Sequence, residues 1–228
     1  AEIVRSDSFS INTGTGSLSL VKIRRKGDSL AISRPWYWSI LGVFFQLSRS
    51  NIKIGLPQLL ELKICDNSSA GVAGFNSSNE LKLTLSETSS FAGELMSGDL
   101  SVDISGSSQA ELSGSSTNFT LKVTDSSSFA ADIAVTGKAE IKVSSNSAIA
   151  ISGSAGNILA DISNVSNADM SDFSGHDINI KLNRLSHGTI RLYGKLDADI
   201  TGSSILIWSG NPVMGTLNVT TGSLLRQA

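Results

Sequence analysis

The sequence contains few of the residues that cross-link or stiffen a chain, with 1 cysteine and 3 prolines in 228 residues. The single cysteine, Cys65, has no partner for an internal disulfide, which excludes a disulfide-stapled scaffold and leaves the redox compartment undetermined. Charged residues are also scarce, at 17% with a formal net charge of −2. This balance argues against a disordered polyelectrolyte and against an electrostatic nucleic-acid binder.

Long apolar runs and cofactor motifs are missing as well. The longest apolar run, WYWSILGVFFQL at 36–47, has about a dozen residues, whereas a helix needs roughly 20 to span a bilayer, so no transmembrane segment is predicted. The sequence has no phosphate-binding loop, no dinucleotide motif and no nucleophile elbow. Its two histidines, His176 and His187, have no cluster of further ligands around them. We therefore predict no cofactor and no metal.

What the chain does contain is an internal repeat of about 19 to 20 residues that is clear from Leu81 onward. Each repeat begins with apolar residues that alternate with polar ones, which is the pattern of a half-buried β-strand, and about ten residues later a second short alternation follows. The apolar positions of the first alternation are Leu81/Leu83/Leu85, Leu100/Val102/Ile104, Phe119/Leu121/Val123, Ala139/Ile141/Val143, Ile158/Ala160/Ile162 and Ile178/Ile180/Leu182.

A repeat of this size cannot bury its apolar face alone, but repeats stacked along one axis bury a continuous column of side chains. The sequence therefore predicts an all-β fold, a parallel β-helix with one repeat per coil, and the rule for parallel crossover connections favours a right-handed winding. We assign residues 61–228 to this helix, with atypical repeats at both ends. Residues 1–60 lack the period and contain alternating runs joined by Gly-containing turns, which predict antiparallel strands or hairpins. We expect them to form an N-terminal β-strand cap packed on the solenoid as part of a single structural unit.

Serine-rich segments such as VDISGSSQAELSGSST at 102–117 are interpreted as folded coil, because disordered Ser-rich tracts do not keep an apolar alternation in register. We expect Ser and Thr on outward strand positions and in tight corners. The corners recur as SGD, SSTN, TGK, SAGN and SGHD, and their Gly or Asn residues are predicted to supply the positive φ of a tight turn.

An aromatic run lies inside the predicted cap and includes Trp36, Tyr37, Trp38, Phe44 and Phe45. Two interpretations remain open at this point. The run either covers the open end of the β-helix or forms an exposed apolar patch for a partner subunit or a lipid surface. The second interpretation makes these five residues a candidate binding or interface patch and a homo-oligomer a candidate assembly.

The segments DSLAIS at 28–33 and NIKIGLPQLLELKI at 51–64, with Leu56-Pro57 and many SG-D/N corners, resemble the bacterial family described as putative auto-transporter adhesin head, GIN domain. The resemblance covers most of the chain and implies a β-helix similar in shape to the pectin lyase group but without catalytic residues. It also implies export or display at the cell surface, with a role in adhesion. The chain departs from the commoner family pattern in its aromatic run at 36–45.

The start of the chain, Ala1-Glu2-Ile3, has no initiator methionine and no charged-then-apolar signal region. Either a leader has been removed or the chain has been shortened, and the resemblance implies an extracytoplasmic location: cell surface, periplasm or secreted.

Carboxylates are the remaining candidates for chemistry. Asp169, Asp172 and Asp177 form the most acidic outward region, together with Asp161, and Asp197 and Asp199 follow one coil later. Paired carboxylates could act as acid and base on a glycosidic bond, or hold Ca²⁺ against an acidic sugar. A simpler account applies to Asp177 and Asp197, which are predicted to share one corner column with Glu80, Asp99, Asn118, Lys138 and Asn157 as a polar ladder.

We predict from these observations a non-enzymatic, secreted or surface-exposed β-helix that serves as a scaffold or binding module, with no catalytic residues. Its outward Ser, Thr, Asn and Lys ladders suit a surface glycan or a protein ligand. The alternative is a carbohydrate-active enzyme, similar to a polysaccharide lyase or hydrolase, that uses Asp169, Asp172 and Asp177. A groove in which several carboxylates converge would favour the enzyme, whereas isolated Asp residues on a convex face would favour the binding module.

Overall fold

The computed structural model describes residues 1–13, 22–33 and 52–228. These residues form β-strands, turns and bends, and the described part of the chain contains no helix. Two compact units are present, Ala1–Pro57 and Gln58–Ala228.

The first unit has strands of only four or five residues. They are β1 (Glu2–Arg5), β2 (Ser10–Thr13), β3 (Lys22–Lys26), β4 (Ser29–Ser33) and β5 (Ile52–Leu56). Strand β5 pairs antiparallel with β2 and parallel with β1, and β3 and β4 form a separate antiparallel hairpin. The alternating runs of the sequence predicted the antiparallel pairs but not the parallel one. That this unit caps the repeats stays a prediction.

The second unit is a stack of parallel strands that continues to the end of the chain. Its strands are β6 (Glu61–Ile64), β7 (Ser69–Asn76), β8 (Leu81–Leu85), β9 (Ser90–Ile104), β10 (Gln109–Val123), β11 (Ser128–Val135), β12 (Lys138–Val143), β13 (Ala148–Ile162), β14 (Asn167–Leu182), β15 (His187–Leu192), β16 (Lys195–Ile200), β17 (Ile205–Gly210), β18 (Val213–Val219) and β19 (Leu224–Gln227). Each coil has a first strand, such as Leu81–Leu85, then a short turn, a second strand and a corner that leads to the next coil. Strands β9, β10, β13 and β14 pass through the corner, so each contains the second strand of one coil and the first strand of the next.

The pairing register repeats the period found in the sequence. Leu121 lies beside Val102 in the coil before it and beside Ile141 in the coil after it, and all three side chains are buried. The same inward column extends from Leu83 to Ala198. These pairings confirm the predicted all-β solenoid, which has about nine turns.

The turn between the two strands of a coil has an unusual backbone. Two consecutive residues adopt positive φ in each turn from 65–68 to 201–204, for example Asp125 at 58° and Ser126 at 60°. Most of these residues are not glycine, and one is the β-branched Val165, for which this conformation costs about 1–2 kcal/mol. Hydrogen bonds between coils offset that cost, because the N–H of Val165 donates to the carbonyl of Arg184 at 2.9 Å.

The prediction that the SGD-type corners supply the positive φ was wrong. Strands β9, β10, β13 and β14 run through such corners without interruption, so these residues are extended. Glycine is required at these corners because the backbones of neighbouring coils approach closely there, and not because it can adopt positive φ. At Gly156, an added Cβ would lie 2.8 Å from the carbonyl oxygen of Gly137 in the coil before it.

One serine is buried in each turn after the first, which differs from the expected outward and corner positions. The buried serines are Ser89, Ser108, Ser127, Ser147, Ser166, Ser186 and Ser204. In most of these turns the backbone N–H of one serine donates to the Oγ of the serine in the next coil. Examples are the bonds from Ser108 N–H to Ser127 Oγ at 3.2 Å and from Ser186 N–H to Ser204 Oγ at 3.1 Å. Serine is suited to this place because its hydroxyl accepts the turn N–H, which would otherwise be buried without a partner.

Replacing Leu121 with Asp is expected to unfold the solenoid, because the change places a carboxylate in the buried column between Val102 and Ile141. We expect a loss of at least about 4 kcal/mol, measured by urea denaturation followed by circular dichroism. The control is Thr120→Asp, one residue away on the exposed face. Cooperative unfolding of the Leu121→Asp protein at the wild-type midpoint would contradict the register.

Replacing Ser127 with Ala tests the buried serine ladder. The N–H of Ser108 would lose its acceptor inside the turn, and we expect a loss of about 1–3 kcal/mol in the free energy of unfolding. The neighbouring Ser128→Ala, on an outward strand position, should change it by no more than about 0.5 kcal/mol. Equal effects of the two substitutions would show that the ladder contributes nothing specific.

Candidate functional site

A groove of about 600 Å³ lies on the outer face of the second strands. It crosses five successive coils, with lining residues at 92–93, 111–113, 130–132, 150–152 and 169–172. One outward column contains Ala92, Glu111, Ala130, Ala150 and Asp169, which lie next to one another in the strand register. The alanines form a low floor, so a ligand could approach the backbone closely.

A second column lines the groove beside the first. It contains Ser113, Asp132, Ser152 and Asp172. Strands β10 and β13 bend directly after it, at Gly114 and Gly153, which have φ of 142° and 110°. An added Cβ at either glycine would collide with a carbonyl of the coil before it, so both the bend and the small residue are required. The groove therefore follows from where the glycines fall in the repeat.

Asp169 is held by three donors at one end of the groove. Its Oδ1 accepts hydrogen bonds from Thr189 Oγ1 at 2.7 Å, from Ser171 Oγ at 2.8 Å and from the Ser171 N–H at 3.1 Å. A register shift in β14, between the partners of Ala150 and Ser152, places Ser171 beside this carboxylate. The Thr189 hydroxyl, followed by that of Ser171, lowers the pKa of Asp169, because these donors stabilise the charged form.

The other carboxylates of the groove have no such partners. Within the described residues, the side chains of Glu111, Asp132 and Asp172 make no hydrogen bond and no ion pair, and no Lys, Arg or His lines the groove. The groove thus has four carboxylates and no balancing cation, which gives it a negative potential. Sequence reasoning identified Asp169 and Asp172 but missed Glu111 and Asp132. Aligning the second alternations of successive repeats would have placed all four in two adjacent columns.

Asp177 lies outside the groove, at a corner of the solenoid. Its Oδ1 accepts the N–H of Lys195 at 2.7 Å and lies 3.0 Å from His176 Nδ1. The predicted corner column was correct from Asp99 through Asn118 to Asp177, but its last member was wrong. Asp197 pairs with Asn179 and Lys195 takes the corner, because the coil between them is shorter than the repeat used in the alignment.

Asp197 is part of a ladder on the first strands. Its Oδ1 accepts the N–H of Thr216 at 2.7 Å, and Lys195 Nζ lies 2.9 Å from its Oδ2. The Lys195 ammonium, followed by the Thr216 N–H, lowers the pKa of Asp197. The predicted catalytic set therefore divides into Asp169 and Asp172 in the groove and Asp177 at a corner.

The remaining candidates are dispersed. Cys65 is exposed. Its partial desolvation, followed by the neighbouring Asp66, raises the pKa of its thiol. Within residues 1–13, 22–33 and 52–228, no group of three or more His, Cys, Asp and Glu side chains is arranged to hold a metal ion. The aromatic patch of Trp36, Tyr37, Trp38, Phe44 and Phe45 lies outside the described residues.

The fold and the groove define a parallel β-solenoid with an acidic concave face. The chain belongs to the family described as putative auto-transporter adhesin, head GIN domain, whose model matches residues 1–152 and 115–212. This match confirms the resemblance found in the sequence. No curated protein matches the chain.

Solved structures of bacterial proteins share the fold. A putative adhesin from Parabacteroides merdae has a TM-score of 0.65 at 13% identity, with 100% of this chain and 87% of that chain covered. A putative adhesin from Parabacteroides distasonis has a TM-score of 0.66 at 14% identity, with 99% and 87% covered. A putative lipid binding protein from the same species has a TM-score of 0.62 at 16% identity, with 99% and 87% covered. At these identities the likeness shows the fold alone.

The described part of this chain has no helix with the length and apolar character needed to cross a membrane.

Replacing Thr189 with Val should raise the pKa of Asp169 toward its ordinary value, because the change removes the strongest donor but keeps the side-chain shape. The measurement is an NMR titration of the Asp169 carboxyl carbon, and Ser171→Ala should give a smaller rise. Because the pKa of the Asp169 carboxyl is lower in the folded chain than in the unfolded chain, this group stabilises the fold at pH values above its unfolded pKa of about 4. The stabilisation is lost as the pH falls through the folded-state pKa. Thr189→Val should therefore weaken the acid dependence of stability. An unchanged titration would refute the assignment of Thr189 as the main donor.

Proposed function

We propose that this chain is a non-enzymatic binding module of the adhesin type, displayed outside the bacterial cell, and that the acidic groove is its binding surface. The observation that carries the proposal is the groove itself, which crosses five coils, has a floor of alanines and carries four carboxylates without a cation. A long, shallow and preformed surface suits an extended ligand. The family description and the structural neighbours support a role in adhesion.

Four carboxylates in one groove are the arrangement expected of the enzymatic alternative, but alanine or serine separates them along each column, so they do not converge on one point. Their chemistry also favours binding over catalysis. A glycosidase needs one carboxyl group that stays protonated near neutral pH to act as an acid, and that requires a raised pKa. Asp169 has the opposite property, because three hydrogen bonds stabilise its charged form. Asp177, the third member of the predicted catalytic set, is engaged with the N–H of Lys195 at a corner.

The solenoid also supplies the rigidity that a binding surface needs. Hydrogen bonds join each coil to the next through the strands and the turns, so the columns of the groove are fixed before a ligand arrives. A preformed surface avoids the entropy loss of ordering loops on binding. We infer that the ligand is an extended segment of a surface protein or glycan that lies along the groove, across the coils.

Filling the groove should abolish adhesion. Ala130→Trp places an indole on the groove floor, and we expect the retention of bacteria that display the chain, on layers of epithelial cells or of the same bacteria, to fall at least about tenfold. The matched control is Ala134→Trp, an exposed alanine on the same strand that does not line the groove, and it should leave retention unchanged. Equal retention of the two variants would refute the groove as the binding surface.

The same proteins test the enzymatic alternative. Acidic polysaccharides incubated with the wild-type chain should show no gain in reducing ends and no unsaturated uronate absorbance. Cleavage that is present in the wild type and lost in Asp172→Asn would overturn the proposal and establish a carbohydrate-active enzyme.

A further inference from the structure

The β3–β4 hairpin has a cationic face. Because strand residues alternate in direction, Lys22, Arg24 and Lys26 lie on one side of β3. Their partners across the hairpin are the small residues Ser33, Ala31 and Ser29. The opposite side carries Ile23, Leu30 and Ile32, which are half-buried. The hairpin is therefore amphipathic, with an open face whose only charges are positive.

The cations of this face have no partners within the described residues. Lys22, Arg24 and Lys26 are exposed and make no ion pair or side-chain hydrogen bond there. Arg25, on the other side, is already engaged: its guanidinium lies 5.4 Å from the centre of the Phe9 ring, and its Nε donates to the carbonyl of Gly27 at 3.2 Å. Three cations are thus available to a ligand.

On the first strands of the solenoid, acids and bases lie beside one another. Lys122 lies 3.4 Å from Asp103, and Lys142 lies 2.9 Å from Glu140, all on the outer face of the first strands. The groove differs, because its carboxylates have no cation among the lining residues. The groove and the hairpin face are thus surfaces of opposite charge, and within the described residues neither has counter-charges of its own.

The two surfaces also match in length. Glu111 and Asp169 lie three coils apart, which is about 14 Å at a strand spacing of about 4.8 Å. Lys22 and Lys26 lie four residues apart on one strand, which is about 13 Å at about 3.3 Å per residue. The alanines of the groove floor and the small residues of β4 leave room for the two backbones to approach.

We infer that the acidic groove binds the cationic hairpin of a second copy of this chain. The inference rests on the proposed function, since it names the ligand of the same groove and makes the adhesion homophilic. The contact joins two different surfaces, because the hairpin of one copy meets the groove of another. Heterologous contacts of this kind form rings where the rotation between copies closes and open chains where it does not.

Charge reversal tests the inference with three proteins: the wild type, a hairpin variant (Lys22→Glu, Arg24→Glu, Lys26→Glu) and a groove variant (Asp132→Lys, Asp172→Lys). Sedimentation analysis over a concentration series measures their association. We expect the wild type to self-associate at low salt and to dissociate at 1 M salt, where the Debye length is about 3 Å. Each variant alone should associate at least about tenfold more weakly. An equimolar mixture of the two variants should recover association, because the unchanged hairpin of the groove variant then meets the unchanged groove of the hairpin variant.

Several results would overturn the inference. These are a wild type that stays monomeric at low salt, association that neither reversal weakens, or variants that are weakened but not rescued on mixing. Circular dichroism checks that each variant is folded, and the neutral substitutions Lys22→Gln, Arg24→Gln and Lys26→Gln replace the reversal if it is not. The adhesion assay separates the two proposals. If Ala130→Trp abolishes retention but the hairpin variant does not, the groove binds another ligand, and the homophilic inference alone is wrong.

Discussion

The stacking of one coil on the next by parallel backbone hydrogen bonds is the interaction on which the rest of the solenoid depends. In the strands, the N–H of Ser128 donates back to the carbonyl of Ser108 at 3.0 Å; in the turns the direction reverses, and the N–H of Ser107 donates forward to the carbonyl of Asp125 at 2.9 Å. The buried serine of each turn joins this network through its Oγ. Because the strand bonds point to the coil before and the turn bonds to the coil after, each coil is held at a fixed rotation relative to the next. The position of a residue within the repeat therefore determines which residues of the adjacent coils lie beside it.

The strands could be predicted because their signal is local. Alternation at Leu81, Leu83 and Leu85 requires only that one face be buried, and the fold buries it. The turns could not be predicted in the same way, because two residues of positive φ reverse the chain and direct the following serine inward. The residue types indicate this conformation only in part: Asp, Asn and Gly, which tolerate positive φ, occupy several of the positions, but Glu87, Thr88 and Leu185 adopt it as well. Tertiary hydrogen bonds between coils impose it against local preference.

The groove, like the turns, could be predicted only in part from the sequence. Asp169 and Asp172 could be located from the sequence because they are close together in it, whereas Glu111 and Asp132 join them only through the register of separate coils. The error at Asp197 has a related cause, since one shortened coil shifts every later position in an alignment of fixed period. In a stacked repeat, the shape of a site therefore depends on the length of each coil as much as on the residues it contains.

Stacking also explains why charge accumulates where it does. A substitution that adds a charge to one coil places it about 4.8 Å from the same position in the next coil. A column of like charges therefore destabilises the fold, unless the charges alternate in sign along the column or the column binds a partner of opposite charge. The first strands follow the former course at most steps, with Asp103 beside Lys122 and Lys142 beside Asp161, although Lys122 and Lys142 are themselves neighbours. The groove does not, and alanine and serine separate its carboxylates along each column. A surface that tolerates repulsion in this way gains from a cationic ligand. If each copy carries both surfaces, many weak contacts between copies add up to strong adhesion, because each contact raises the effective concentration for the next.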